Sequence, residues 1–338
     1  MNNCNSLKIS PNEGVNSLNY NYRDRRIDSI KFCLILLVVI GHVFSNEAFR
    51  ESYACEVIWK WIYMFHMPLF VFISGFFSHK KKQFNGFMKG IIKILEPLII
   101  IQMLFLIMDI FLTKTISINR ILTPWWVMWY LLSLIYWRTM LYILPQKVLE
   151  HKKLIIIVSF IIGIVAGFLP FNRFLSLQRT LAFLPFFLGG YCMQGKQLYL
   201  PSKFKPLCIV VLCLAFIVPI YFPYLLGDLR FADKYTDISY MFSRIFVYFM
   251  SIVMSISFIC VCPNIMFFSK QGKYTLQYYV YHALILFLLF IIINKFNLPK
   301  STFTACTYSF FVLSCIWIFS YSSYFTKFTN PSSFLRER

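Results

Sequence analysis

The fold class is indicated by the stretch Asp28-Ser-Ile-Lys31-Phe-Cys-Leu-Ile-Leu-Leu-Val-Val-Ile-Gly41-His42. In it, an unbroken apolar run separates a lysine from a histidine. In an α-helix, the spacing from Lys31 to His42 returns to nearly the same face, about 16 Å further along the axis. The run is typical of a membrane span, in which ionisable side chains are costly and often functional. The spacing alone leaves two interpretations open: a functional pair, or a lysine at the membrane edge and a histidine hydrogen-bonded in the core.

The composition predicts that this run is one of many. The 338 residues are 59% hydrophobic, 20% aromatic and only 14% charged, and the mean hydropathy is +0.67. A water-soluble domain needs more polar surface than this composition provides. Long apolar segments bounded by charges recur along the sequence, so we predict an all-α polytopic membrane protein.

The apolar segments predict about ten transmembrane helices and leave no room for a soluble domain. A mobile cytoplasmic tail is predicted for residues 1–27, a membrane domain for 28–326 and a short cytoplasmic tail for 327–338. The segment 179–194 is the weakest span, since it contains Pro185 and ends at Gly189-Gly190. The predicted spans are 28–45, 58–78, 88–112, 125–144, 154–170, 179–194, 206–226, 239–262, 274–294 and 302–325.

The basic residues predict the orientation of these spans. Lysine and arginine are more than twice as frequent in the two tails and the loops on their side as in the opposite loops. This bias places both termini in the cytoplasm and the protein in the cytoplasmic (inner) cell membrane. We attribute the net charge of +20 to the same bias and to attraction to anionic headgroups. We therefore expect membrane lipids, and no nucleic acid, as partners.

The cysteines do not indicate a metal site. Most of the 10 lie singly inside predicted spans, where cysteine packs as a small hydrophobic residue. Cys260-Val-Cys262 is too close and too apolar to hold a metal without further ligands, so no metal is expected.

Five motifs resemble one family of membrane enzymes. In the first predicted helix, Lys31 is followed by ten residues and then by His42. This pattern is similar to the first helix of the acyltransferase family 3 proteins, whose signature there is Arg or Lys, ten residues, then His. Four further segments resemble the fucose 4-O-acetylase branch of that family, and the matches run in order from about residue 25 to 290. They are Phe65-His66-Met67-Pro68 through Phe77, Trp125-Trp126 through Leu132, Leu184-Pro185 through Tyr191, and Gly272-Lys273 through His282.

The resemblance implies an O-acetyltransferase. It would move acetyl from cytoplasmic acetyl-CoA to a hydroxyl of an extracytoplasmic sugar, in a cell-surface polysaccharide or its lipid-linked precursor. Polysaccharide biosynthesis proteins are further possible partners. Lys31 would hold a coenzyme A phosphate, and His42 would act as a general base, because imidazole exchanges protons near neutral pH. A covalent acetyl-imidazole intermediate remains open.

The donor site implied by the resemblance is only partly matched. In the family, an Arg-x-x-Arg pair precedes the third span, and its second arginine lies four residues before a proline. Lys93 has that position relative to Pro97, whereas the first arginine falls on Gly90, so Lys89 substitutes only by a shift. The triplet Lys80-Lys81-Lys82 is most simply a positive-inside anchor.

The remaining candidates each have a structural alternative. His66 is predicted to lie at the depth of His42 as a site residue, although His66 and His282 can equally be histidines bonded to a neighbouring helix. Arg179 is predicted at the outer mouth, where it would orient a glycan or stabilise an oxyanion, or act as an interfacial anchor. The aromatic residues Trp125, Trp126, Trp129 and Tyr130 form either a membrane-interface belt or a sugar-stacking surface.

A transporter or export partner for polysaccharide is the alternative from another functional class. His42 and Glu96 would then form a proton path through the membrane. The spacing from Lys31 to His42 and the lack of obvious duplicated halves argue against a transporter.

Overall fold

The computed structural model describes residues 24–49, 51–81, 83–114, 122–227, 229–320 and 322. All regular secondary structure in these ranges is helical, which confirms the all-α class. The α-helices are α1 (Arg25–Phe44), α2 (Tyr53–Tyr63), α3 (His66–Phe76), α4 (Phe84–Thr113), α5 (Trp129–Ile143), α6 (Gln146–Glu150), α7 (Lys152–Val165), α8 (Leu177–Cys192), α9 (Lys205–Leu214), α10 (Ile217–Tyr221), α11 (Ser239–Val261), α12 (Met266–Gln271), α13 (Thr275–Lys295) and α14 (Thr302–Ser320).

Seven helical segments in the described ranges are long and apolar enough to cross a membrane. The helices α5, α7 and α8 are shorter, at 15, 14 and 16 residues, and occupy the other three predicted spans. The protein is therefore a multi-pass membrane protein, whereas the count of ten crossings and the cytoplasmic termini stay predictions. The seven segments are Arg25–Phe44, Tyr53–Phe76, Phe84–Thr113, Ser202–Tyr221, Ser239–Val261, Met266–Lys295 and Thr302–Phe319.

Helix α1 begins at Arg25, three residues before the predicted start of the first span. The carboxylate of Asp24 caps it by accepting hydrogen bonds from the backbone N–H groups of Arg26 (2.8 Å) and Ile27 (3.4 Å). Asp28 is therefore available to pair with Lys31, and the Nζ–Oδ1 distance is 3.2 Å. The predicted N-terminal tail up to residue 23 and the predicted C-terminal tail lie outside the described residues.

The predicted second span is broken between α2 and α3, next to Pro68. Proline has no backbone N–H, and its ring conflicts with the carbonyl four residues earlier, which here belongs to Met64. The Ser251 hydroxyl of α11 donates to that Met64 carbonyl at 2.5 Å, so the break leaves no unsatisfied acceptor there. The break separates Tyr63 at the end of α2 from His66 at the start of α3.

Helices α3 and α8 cross with their backbones in direct contact. A Cβ atom on Gly75 would lie 1.9 Å from the Phe187 carbonyl oxygen, and one on Gly190 would lie 1.9 Å from that of Phe72. Small residues permit such close crossings in membranes. The Gln194 side chain, just beyond α8, donates to the carbonyl of Gly75 at 3.2 Å. The crossing fixes α8 against α3.

The bundle has two ends, named here for the ionisable residues of α1. At the lysine end, Lys31 lies over the ring of Phe77, 4.5 Å from its centroid, and the Tyr199 hydroxyl donates to the Asp24 carboxylate at 2.5 Å. Burial, together with this carboxylate, raises the pKa of Tyr199, so its hydroxyl remains a neutral donor. The histidine end contains His42 and the segments 122–128 and 229–238.

Candidate active site

His42 lies in the last turn of α1 and is held by a tyrosine from α2. The distance from its Nδ1 to the Tyr63 hydroxyl oxygen is 3.1 Å, and the same oxygen lies 3.2 Å from Ser45 Oγ. Gly41, beside His42, faces the Tyr63 ring, and a Cβ at Gly41 would lie 3.0 Å from Tyr63 Cε2. The sequence Gly41-His42-Val-Phe-Ser45 therefore supplies the histidine, the space for the tyrosine and the second hydroxyl.

Two further imidazoles lie close to His42. The His282 ring of α13 stacks on it with centroids 5.5 Å apart, and the His66 ring lies 4.8 Å from that of Tyr63. His66 Nδ1 lies 2.8 Å from the Ile62 carbonyl oxygen, and His282 Nδ1 lies 3.1 Å from that of Tyr278. Because a carbonyl only accepts hydrogen bonds, Nδ1 carries the hydrogen in both rings and Nε2 has the lone pair. His282 Nε2 is buried and has no hydrogen-bond partner in the described part of the chain.

A cavity of about 310 Å³ opens beside His42 at the histidine end. This volume is within the range of small-molecule sites, which runs from about 300 to 1,000 Å³. The cavity combines imidazole, hydroxyl, amide, guanidinium and indole groups, a set that suits a ligand rich in hydroxyls. The lining includes His42, Ser45, Asn46, Glu47, Tyr63, His66, Trp126, Trp129, Arg173, Arg179, Arg230 and Tyr279.

Arg179 lies in the first turn of α8 and reaches this cavity. Its Nε donates to the Arg230 carbonyl at 3.1 Å, and its guanidinium carbon lies 5.1 Å from the centroid of the Trp129 ring. The guanidinium carbon of Arg230 lies 5.6 Å from the centroid of the Trp59 ring. Sequence reasoning missed Arg230, because it lies in a connecting segment and belongs to no matched motif.

The four predicted sugar-binding aromatic residues have different surroundings. Trp126 meets His42 edge-on with centroids 4.8 Å apart, and both Trp126 and Trp129 line the cavity. Trp125 instead stacks on Phe105 at 5.6 Å, and its backbone N–H donates to Gln102. The Tyr130 hydroxyl lies 2.5 Å from Ser74 Oγ, so Tyr130 is buried between helices. The structure brings Trp126 and Trp129 to the cavity that His42 lines, whereas Trp125 and Tyr130 pack against other helices.

A second cavity, of about 340 Å³, lies at the lysine end. It is lined by Lys89 and Lys93, and also by Lys81 and by Arg138 of α5. Three aromatic residues, Phe77, Phe87 and Tyr142, also line this cavity. The Phe77 ring is the one that Lys31 covers. Cations combined with aromatic rings are the groups that hold the phosphates and the base of a nucleotide.

Arg138 is the residue of this cavity that sequence reasoning missed. Its Nε is buried with no hydrogen-bond partner among the described residues. The signal was present, since an arginine inside the apolar segment 125–144 is costly unless it has a role or a partner.

The model of the acyltransferase 3 family, described as an acyltransferase domain, matches residues 24–321, nearly the whole chain. The chain belongs to the acyltransferase 3 family. The protein is therefore a multi-pass membrane protein of the acyltransferase 3 family, and the predicted family membership is confirmed.

Individual relatives match the chain over short segments. A segment of 67 residues, 19% of the chain, is 42% identical to Nodulation protein NolL of Sinorhizobium fredii. A segment of 73 residues, 21% of the chain, is 38% identical to Nodulation protein NolL of Mesorhizobium japonicum. The matches span 18% and 20% of the two relatives, about a fifth of their lengths. No solved structure gives a significant match to the chain.

The two cavities lie near opposite ends of α1: His42 lines the first, and Lys31 covers the ring of Phe77, which lines the second. Lys31 and His42 lie on nearly the same face of α1, about 16 Å apart along its axis. Within the described residues, no group of three or more His, Cys, Asp or Glu side chains is arranged to hold a metal ion. The chemistry available at the histidine end is proton transfer by imidazole together with charge stabilisation by guanidinium.

Proposed function

We propose that this acyltransferase transfers acetyl from acetyl-CoA, bound at the lysine end, to a sugar hydroxyl bound at the histidine end. The observation that carries the proposal is that a basic, aromatic cavity and a histidine-containing cavity lie near opposite ends of α1, the first at the Phe77 ring that Lys31 covers and the second at His42. In the proposed orientation the lysine end faces the cytoplasm, where acetyl-CoA is made. The acceptor is an extracytoplasmic sugar of a surface polysaccharide or of its lipid-linked precursor.

The cavity at the lysine end suits the nucleotide part of coenzyme A. Lys89, Lys93 and Arg138 offer positive charge to phosphates, and Tyr142 offers a ring to the adenine. Lys31, paired with Asp28 and lying over Phe77, is placed where the phosphates meet α1. An extended pantetheine arm is comparable in length to the separation of Lys31 and His42, so the thioester reaches the histidine end while the nucleotide stays behind.

The reaction at the histidine end is a direct acyl transfer. His42 Nε2 takes the proton of the acceptor hydroxyl while that oxygen attacks the thioester carbonyl carbon. The tetrahedral intermediate then collapses, the carbon–sulfur bond breaks, and the proton passes from His42 to the departing sulfur to give free coenzyme A. Arg179 lies on the same cavity and stabilises the negative oxygen of the intermediate, since a fixed cation counts for more away from water.

The acceptor is proposed to be a sugar because of the groups around His42. The indole rings of Trp126 and Trp129 present flat apolar faces of the kind that stack on sugar rings. Asn46 and Glu47 add an amide and a carboxylate that hydrogen-bond hydroxyls. Glu96, which the transporter alternative requires, is absent from the lining of both cavities, and the observations favour the enzyme.

The variant His42→Ala tests the proposal. Membranes containing the protein are given radiolabelled acetyl-CoA, and label in glycan and free coenzyme A are both measured. Loss of a general base lowers the rate by about 10²–10⁴-fold, while insertion is preserved because one histidine contributes little to hydropathy. His151→Ala is the matched control, since His151 is an exposed residue between α6 and α7 that lines neither cavity.

Near-normal acetylation by His42→Ala contradicts the proposed role of His42. Mass spectrometry of surface glycan from cells with and without the gene identifies the acceptor. Identical acetylation in the two strains contradicts the proposed acceptor class.

A further inference from the structure

Among the described residues, His42 Nδ1 is hydrogen-bonded to Tyr63 of α2, a side chain that takes no part in the reaction proposed above. The Tyr63 hydroxyl oxygen lies 3.1 Å from His42 Nδ1 and 3.2 Å from Ser45 Oγ. The three groups thus form a chain from imidazole to phenol to hydroxyl. The partner of His42 Nδ1 is thus a phenol, whereas in serine hydrolases the catalytic histidine is paired with the carboxylate of an aspartate.

The direction of the hydrogens along this chain decides what His42 can do. If Tyr63 donates to Nδ1, then neutral His42 carries its hydrogen on Nε2 and has no lone pair left for an acceptor hydroxyl. If Nδ1–H donates to Tyr63, the phenol hydrogen goes to Ser45 Oγ and Nε2 is free to take a proton. Protonated His42 has hydrogens on both nitrogens, so Nδ1 must then donate, and only the second arrangement lasts through the reaction.

The ring of Tyr63 is held in place independently of its hydroxyl. Trp59, on the previous turn of α2, meets the ring at right angles with centroids 5.3 Å apart, and His66 packs on it at 4.8 Å. Gly41 leaves the space that the ring fills, because a Cβ there would lie 3.0 Å from Tyr63 Cε2. A phenylalanine at position 63 keeps these ring contacts and removes only the oxygen.

We propose that Tyr63 is a positioning residue, which accepts the Nδ1 hydrogen of His42 and thereby keeps the lone pair of Nε2 directed at the acceptor. This inference rests on the proposed function, in which His42 is the general base. Tyr63 exchanges no proton with the substrate. It also orients the imidazole, since its hydroxyl lies within hydrogen-bond distance of both His42 Nδ1 and Ser45 Oγ at the end of α1.

The variant Tyr63→Phe tests the inference through separate measurements of kcat and KM. Acetyl-CoA is titrated over membranes or purified protein, and release of the coenzyme A thiol is followed. We expect kcat to fall about tenfold or more, with KM for acetyl-CoA changed less than about twofold, because the lone pair is misplaced and the donor cavity is untouched. A packing defect alone would lower the folded fraction and the thermal midpoint instead.

The matched control is Tyr53→Phe, on the same helix. The Tyr53 hydroxyl donates to the Ile220 carbonyl at 3.3 Å, and this residue lines neither cavity. We expect wild-type kcat and KM from this control. Ser45→Ala removes the proposed acceptor of the phenol hydrogen while leaving Tyr63 intact, and a smaller fall in kcat, about threefold, is expected.

Wild-type kcat in Tyr63→Phe, or in Ser45→Ala if Tyr63→Phe does not fold, overturns the inference. If His42→Ala is inactive in the same assay, that result leaves the proposed function standing. If His42→Ala is active, the proposed function itself fails.

Discussion

Trp126 has a backbone φ of 33°, in the left-handed region that bulky residues rarely adopt. Such a conformation costs about 1–3 kcal/mol and persists where the surroundings demand it, often at functional sites. Its consequence here is that two adjacent tryptophans diverge. Trp125 stacks on Phe105, whereas Trp126 meets the ring of His42.

Lys31 is predicted to act through its positive charge. Lys31→Arg keeps the charge and should retain most activity, whereas Lys31→Ala should raise KM for acetyl-CoA about tenfold with a smaller effect on kcat. Initial rates over a range of acetyl-CoA concentrations measure both constants. Equal and mild effects of the two substitutions would show that Lys31 is only a membrane-edge residue.

Arg138 is predicted to bind the donor. Arg138→Gln should raise KM for acetyl-CoA about tenfold, because it removes a cation at the proposed donor cavity whose buried Nε has no hydrogen-bond partner in the described ranges. Isothermal titration with coenzyme A should show the same loss of affinity. Lys147→Gln removes an exposed charge from α6, outside that cavity, and should bind coenzyme A like the wild type. Equal binding by the two variants would argue against a donor role.

The crossing of α3 and α8 is predicted to tolerate no side chain at its contact points. In Gly190→Ala the new Cβ would lie 1.9 Å from the Phe72 carbonyl oxygen, which requires the two backbones to separate. The free energy of unfolding should fall by about 1–3 kcal/mol or more, and Arg179 should lose its position at the cavity.

Gly189→Ala is the control for this crossing, because its Cβ would lie 3.7 Å from the Phe72 ring, an ordinary contact. Thermal unfolding of the purified variants in detergent measures the difference. A midpoint for Gly190→Ala as high as that for Gly189→Ala would mean that the helices separate at little cost.

The orientation of the whole bundle determines whether the proposed reaction crosses the membrane. Single cysteines at Ser52, Lys81 and Asp233, in a cysteine-depleted background, are exposed to a membrane-impermeant thiol reagent in intact cells. Label at positions 52 and 233 but not at 81 is expected, because the basic loops are predicted to be cytoplasmic. The reverse pattern would put His42 near the cytoplasm and remove the need for a donor that spans the bilayer.

Much of this architecture could be predicted from the sequence. Apolar segments are a local signal, and the structure has helices in all ten predicted spans, although three of those helices are short. The spacing from Lys31 to His42 depends only on helical geometry, so the shared face of α1 was also predictable.

The rest depends on contacts between distant segments. The break before His66 follows from Pro68, but Ser251, which satisfies the freed carbonyl, lies on α11, far away in the sequence. Tyr63 and Arg230 reach the cavity only through the folding of α2 and of the segment after residue 228. Trp125 and Trp126 could not be distinguished, because a single left-handed residue sends them in different directions.

The hydrogen bond from Ser251 to Met64 makes α11 a support of the proposed active site, although α11 contributes no side chain to its cavity. None of the residues of α11 lines either cavity in the described structure. Ser251 nevertheless donates a hydrogen bond to the backbone at the break between α2 and α3. The two residues on either side of that break, Tyr63 and His66, both line the cavity. A helix that lines neither cavity thus supports the backbone break that positions Tyr63 and His66.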